Sequence, residues 1–257
     1  MKIEIHPQYE HLRTFVEHLP ACFDREGELL FRGRNTIKAF TVADAQGETM
    51  TLVVKRYKRP NFVQKIAYSF FCDTKAKRAY EHAHVLGRRG FLTPTPYAYV
   101  ETRRRGLVDY CYFVSDVDRA HPIAERLNDV EAFDKTLATD FAHFAARLHE
   151  KGIIDVDLNS TNVLFHPRED GHYRFSLIDI NRMKVYAEGT RPPRAVCMEN
   201  LTRFTGRMDL FAYVAAAYVE ARQWPPRAVE TLVATKRRHD QRWRQRKRFL
   251  HCLKHRK

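Results

Sequence analysis

Apolar and polar positions alternate in short bursts through the first part of the chain and recur at helical intervals further on. Leu29-Leu30-Phe31, Ile37-Lys38-Ala39-Phe40-Thr41-Val42 and Met50-Thr51-Leu52-Val53-Val54 are β-prone runs, punctuated by Gly33 and by the hairpin-type turn Asp44-Ala45-Gln46-Gly47. They predict three successive antiparallel strands. From Thr74 to Arg89, Ala76, Ala79/Tyr80, Ala83 and Leu86/Gly87 recur at helical spacing, with Thr74 as N-cap and Gly90 as the stop. Pro94 and Pro96 then lead into two more strands, Tyr97 to Glu101 and Val108 to Val114. A second helix is expected from about Val130 to Lys151, with Phe133, Leu137, Phe141, Phe144/Ala145 and Leu148 on one stripe and Gly152 closing it. Ile153-Ile154 follows. Asn162 to Phe165, the turn His166 to Gly171, and Tyr173 to Ile180 then read as a short hairpin. Helices from about Met208 to Arg222 and from Arg227 onward complete the pattern, and no internal repeat is present.

Composition narrows the class. A chain of 257 residues with 44% hydrophobic and 12% aromatic content suits one large domain or two lobes with a substantial core. The longest apolar run, Leu210 to Val219, has ten residues, against the roughly 20 needed to cross a bilayer. No transmembrane helix is expected, and the N-terminal Met1-Lys2-Ile3-Glu4-Ile5 lacks a secretory apolar core, so the expected location is the cytosol. The five cysteines, Cys22, Cys72, Cys111, Cys197 and Cys252, form no CxxC pair and read as free thiols. The 13 histidines form no HExxH pattern, which argues against histidine-ligated metal. The net charge of +14 is unevenly placed: Lys236 to Lys257 carries +10, leaving +4 for the rest.

Four features, in this order, point to phosphoryl transfer. Lys55 closes the third strand, where a nucleotide site needs a fixed cation for the α- and β-phosphates. Glu81, 26 residues later on the first long helix, is the carboxylate expected to hold it. Asp155-Val156-Asp157-Leu158-Asn159-Ser160-Thr161-Asn162 lies between a helix and a hairpin. Its Asp157 and Asn162, five residues apart, have the spacing of a base that takes the acceptor's proton and an amide that holds Mg²⁺. Asp179 follows an apolar strand 17 residues after Asn162 and is placed to be the second metal ligand. Any one of these residues is most often a solvated strand end, a surface glutamate or a turn cap. Such ordinary roles do not account for all of them in this order.

The chain resembles the protein-kinase-like superfamily, and more narrowly the lipopolysaccharide core kinases that phosphorylate Kdo or heptose. The segments that carry the resemblance are Val53-Val54-Lys55-Arg56-Tyr57-Lys58, Thr74-Lys75-Ala76-Lys77-Arg78-Ala79-Tyr80-Glu81, Thr93-Pro94-Thr95-Pro96 and Ile178-Asp179-Ile180-Asn181-Arg182. The resemblance implies an α+β fold of two lobes: a five-stranded antiparallel N-lobe sheet with one helix over residues 1–118, and a reduced, mainly helical C-lobe over 119–235. The basic tail, 236–257, is set apart. It also implies ATP and Mg²⁺, with Asp157 as base, Asn162 and Asp179 on the metal, and Lys55 with Glu81 on the phosphates. The sequence departs from the pattern in three places. Asp155 stands where such loops usually have histidine and is a rival base. Gly33, in Arg32-Gly33-Arg34-Asn35-Thr36, is the lone glycine of the phosphate-covering loop, with Arg34 or Asn35 to assist it. After the metal-binding aspartate, Ile180 is followed by Asn181-Arg182 and no Phe-Gly is present.

The acceptor is read from charge. Only 78 residues follow Asp179 and no Ala-Pro-Glu segment is present, which disfavours a protein substrate. Arg182, Lys184, Arg191, Arg194, Arg203 and Arg207 surround the expected acceptor side with cations and favour an anionic glycolipid. In the tail, Trp243, Phe249, Leu250 and Leu253 interrupt the basic run, the composition of an interfacial helix on anionic lipid. The expected location is therefore peripheral, at the inner face of the cytoplasmic membrane. A solvated terminus is the bland alternative, and nucleic-acid binding ranks last because no recognition module accompanies the tail. A pseudokinase or membrane scaffold, and a small-molecule phosphotransferase, are the competing functions.

Overall fold

The computed structural model describes residues 1–128 and 130–254, with side chains as far as residue 249. The chain divides into two units, Met1–Arg119 with Asp179–Arg182, and Ala120–Ile178 with Met183–Lys257.

The first unit is built on one antiparallel sheet. In chain order its elements are β1 (Lys2–Ile5), α1 (Arg13–Cys22), β2 (Glu28–Arg32), β3 (Thr36–Ala43), β4 (Thr49–Arg56), α2 (Phe62–Phe70), α3 (Lys75–Arg88), β5 (Pro96–Arg104) and β6 (Leu107–Ser115). The strands are ordered β1-β5-β6-β4-β3-β2. The sheet thus has six strands where the sequence pattern gave five, and three helices accompany it where one was expected. The added strand, β1, pairs Ile3 with Val100 and Ile5 with Ala98. Glu4 alternates outward between them, so the acid that broke the apolar run is the exposed half of an edge strand's period. One face of the sheet packs Leu52, Val54, Ala98, Val100 and Val114 against Val16, Leu19 and Cys22 of α1. The other packs Tyr57, Tyr99 and Cys111 against Ala76 and Tyr80 of α3. With both faces covered, β5 is buried at six consecutive positions and shows no alternation. Helix α2 replaces the expected connection; its signature is a capping box, in which Asn61 accepts from the Gln64 amide and Gln64 returns the bond to the Asn61 amide.

The second unit contains β7 (His121–Pro122), α4 (Ala124–Leu127), α5 (Lys135–Glu150), β8 (Ile153–Asp155), β9 (Val163–Pro167), β10 (Tyr173–Leu177), β11 (Met183–Val185), α6 (Arg194–Leu201), α7 (Met208–Ala221) and α8 (Ala228–Lys254). Helix α5 starts five residues later than the apolar stripe suggests, because Asp134 caps it by accepting from the Leu137 amide at 2.9 Å. Its apolar face, Leu137, Phe141, Phe144, Ala145 and Leu148, is buried, and Phe141 stacks on Phe204 at 4.3 Å between centroids. The expected hairpin is β9 with β10, joined by β7 into a three-stranded sheet, while β8 pairs with β11.

Helix α8 runs unbroken across residue 236, where charge alone would place a boundary. Ala228, Leu232 and Lys236 are buried one above another. The Lys236 ammonium lies over the Phe211 ring at 5.8 Å and pairs with Asp240 at 2.6 Å. A paired lysine occupies a core position of the helix through its apolar stem, so the first part of the tail belongs to the packed unit. The side chains of Leu250 and Leu253, on which the interfacial reading of the tail partly rests, lie outside the described residues, as does the Cys252 thiol. The other four cysteines are free thiols.

Candidate active site

In the first unit, β4 delivers Lys55 to Asp179. The Lys55 ammonium and the Asn181 side-chain amide both donate to Oδ1 of Asp179, each at 2.6 Å. Asp179 sits at φ 57°, in the left-handed region, which non-glycine residues seldom enter and which Asp and Asn tolerate best. Asn181, two residues after this aspartate, thus stabilises the turn that aims the carboxylate. Below the pair, the buried Tyr57 phenol is pushed well above its ordinary pKa, first by burial and then by the charge of Asp179.

Glu81 is not where a lysine partner would be. It is exposed and pairs with Lys77, one turn earlier, at 3.4 Å. The next residue, His82, faces inward instead, and its Nδ1 donates to the Ile180 carbonyl at 2.7 Å, so α3 grips the Asp179 segment through a histidine. Near the start of α3, Lys75 is held below its ordinary pKa, first by burial and then by Arg34. One turn on, the Arg78 Nε is buried with no hydrogen-bond partner. Gly33 donates its own amide to the Asn35 carbonyl at 3.0 Å, and the Asn35 side chain accepts from the Lys58 amide at 3.1 Å. Both groups are therefore engaged inside the turn, while Arg34 and Arg78 lie close enough to Lys75 to lower its affinity for a proton. Periodicity missed the last two because partly buried cations break an apolar stripe.

In the second unit the segment after β8 is tied down residue by residue. Asp155 is 1% exposed, and its Oδ1 accepts from the Asp157 amide at 3.1 Å. That contact explains the departure from histidine: Asp155 orders the loop from within, while Asp157 is only partly buried. The Asp157 carbonyl accepts from the side-chain amides of both Asn159 and Asn162 at 3.1 Å. Asn162 in turn accepts at its carbonyl from the Ile178 amide at 3.0 Å. Behind the loop runs a directional chain. Arg222 donates to the Tyr218 hydroxyl at 2.9 Å, Tyr218 to His149 Nδ1 at 2.7 Å, His149 Nε2 to Asn200 Oδ1 at 2.9 Å, and Asn200 Nδ2 to the Asp155 carbonyl at 2.6 Å. The two links through His149 use neutral imidazole. Burial pushes His149 down to about 4, with Arg222 adding to the shift against the raising effect of Asn200.

The oxygen donors suit Mg²⁺. Oδ2 of Asp179 and Oδ1 of Asn162 carry no hydrogen bond among the described residues. Among the described residues, no group of three or more His, Cys, Asp or Glu gathers to form an all-protein cage in either unit. A hard cation held by few protein oxygens, with phosphate and water completing its shell, is the usual pattern for Mg²⁺.

A lysine paired with an aspartate on a strained turn, together with an Asp–Asn loop, is the equipment of a kinase-like phosphotransferase. The model of the lipopolysaccharide kinase (Kdo/WaaP) family matches residues 32–235, and the chain belongs to that family. No curated protein matches it. Among solved structures, WaaP in complex with acyl carrier protein is similar at a TM-score of 0.63 and 15% identity, over 94% of this chain and 99% of that one.

Proposed function

We propose that the protein transfers the γ-phosphoryl group of ATP to a sugar hydroxyl, on Kdo or heptose, of the lipopolysaccharide inner core, working peripherally at the cytoplasmic face of the membrane. The observation that carries this reading is the Asp157–Asn162 loop. Its two asparagine amides converge on the Asp157 carbonyl and fix the aspartate's backbone, as a positioned base requires. Asp157 would accept the hydroxyl proton, and Lys55 would lie on the phosphates. Asn162 and Asp179 would hold Mg²⁺, which supplies charge neutralisation on the transferring group. Support for an anionic acceptor and a membrane-adjacent site comes from the basic residues of the second unit and of α8. No helix among the described residues is long and apolar enough to cross a membrane.

Replacing Asp157 by Asn should lower kcat about 10²- to 10⁴-fold, measured as phosphate transfer from radiolabelled ATP to a lipid A–core acceptor, while leaving the Mg·ATP thermal shift intact. Near-full turnover in that variant would refute the assignment. Mass spectrometry of the lipid A–core fraction with and without the gene should show one missing phosphate and locate it.

A further inference from the structure

Within the second unit a cavity of about 470 Å³ opens beside the Asp157 loop. Its far wall is one face of α8: His239, Arg242, Trp243 and Arg246 stand at i, i+3, i+4 and i+7, a single helical stripe. Arg203, just past α6, closes the side. The only other acid lining the cavity, Glu199, is already paired with His239 at 3.1 Å. The guanidinium groups of Arg203, Arg242 and Arg246 have no ion-pair or hydrogen-bond partner among the described residues. One wall thus offers a candidate base, the opposite wall two uncompensated cations beside an indole, and the side a third. Solvated arginines on an exposed helix are the ordinary expectation. Here, however, the stripe faces the same hollow as Asp157, whereas the neighbouring Arg238 turns back to Thr235 at 3.2 Å.

We propose that this cavity is the acceptor subsite, and that Arg203, Arg242 and Arg246 select a sugar bearing an oxyanion, carboxylate or phosphate, on the same molecule as the hydroxyl presented to Asp157. This assignment rests on the kinase reading above. The volume falls in the range of small-ligand pockets, and guanidinium forks match carboxylate and phosphate oxygens two at a time. Trp243, 57% exposed, supplies an apolar plate for a sugar ring. Arg242, Trp243 and Arg246 all lie beyond residues 32–235, so the family match does not account for them.

Trp243 makes binding visible without turnover. The full-length protein is titrated with free Kdo, with mannose 6-phosphate and with phosphatidylglycerol vesicles while indole emission is followed, and Trp243→Phe defines the signal. Saturation by Kdo supports the subsite with a carboxylate as its anion, and saturation by mannose 6-phosphate supports it with a phosphate. In either case the Arg242→Ala/Arg246→Ala double variant and Arg203→Ala should weaken binding about tenfold or more. With the lipid A–core acceptor, the same variants should raise the acceptor KM about tenfold at an unchanged Mg·ATP thermal shift. A response to vesicles alone, or variants that bind within twofold of the parent, would overturn the assignment. Because emission needs no catalysis, it decides on the subsite even if Asp157→Asn keeps its turnover and the kinase reading falls.

Discussion

Two buried side chains show how single residues set the limits of this protein's stability. Lys38 is 6% exposed, and its ammonium donates to the Phe23 and Glu26 carbonyls at 2.7 and 2.6 Å, closing the chain that leaves α1. Lys38→Met keeps the apolar stem but strands both acceptors, so it should cost about 2 to 4 kcal/mol, read from urea midpoints. His149 imposes a pH dependence of known sign. The unfolded chain takes up this proton near pH 6.5, whereas the folded imidazole resists it until about 4. Its contribution is therefore complete above about pH 6.5 and is lost as pH falls from there to about 4, a change of about 3 kcal/mol. His149→Gln should flatten the urea midpoint across that window; a variant with the parent's slope would exclude His149 as the cause.

At the scale of elements, α8 carries the largest consequence. A chain ending at residue 235 loses the Lys236–Asp240 pair and uncovers Phe211, and should melt about 5 °C or more below the parent, whereas one ending at 246 should melt close to it by calorimetry. Parts of this architecture were legible and parts were not, for physical reasons. The order and spacing of Asp157, Asn162 and Asp179 could be read directly, because each stands next to an apolar strand that fixes its place. The partner of Lys55 could not. One residue of rotation on α3 turns Glu81 outward to Lys77 and His82 inward to Ile180, a difference of about 100° that the small stripe of Ala76, Ala79 and Ala83 on a 14-residue helix does not resolve. Helix α2 announced itself only by its capping box, since none of its residues is buried. The packed start of α8 was hidden by Lys236, a cation at an apolar position.

For the molecule as a whole, the net charge of +14 divides by purpose rather than by position. Of the basic residues once grouped as facing the acceptor, Arg207 binds Asp209 and the Glu131 carbonyl, and Arg194 stacks on Trp224 at 4.4 Å; these hold the fold. Arg203 and the α8 stripe face the cavity. Beyond residue 246 the chain adds five more cations, each contributing about 1 kcal/mol near an anionic surface at low salt. Ending the chain at 246 should therefore lower sedimentation with phosphatidylglycerol liposomes severalfold and leave the acceptor KM within twofold. A parallel loss of both would mean that surface attachment and acceptor capture are one event. The α8 stripe also bears on inheritance. Arg242, Trp243 and Arg246 are exposed, on a helix whose buried contacts are made by Ala228, Leu232 and Lys236. Point changes along that stripe carry almost no folding penalty, and none of them touches the Asp157 loop. Under the proposed acceptor role of this stripe, preference would drift by single substitutions while the Asp157 loop is inherited intact, a separation of evolvable and frozen parts.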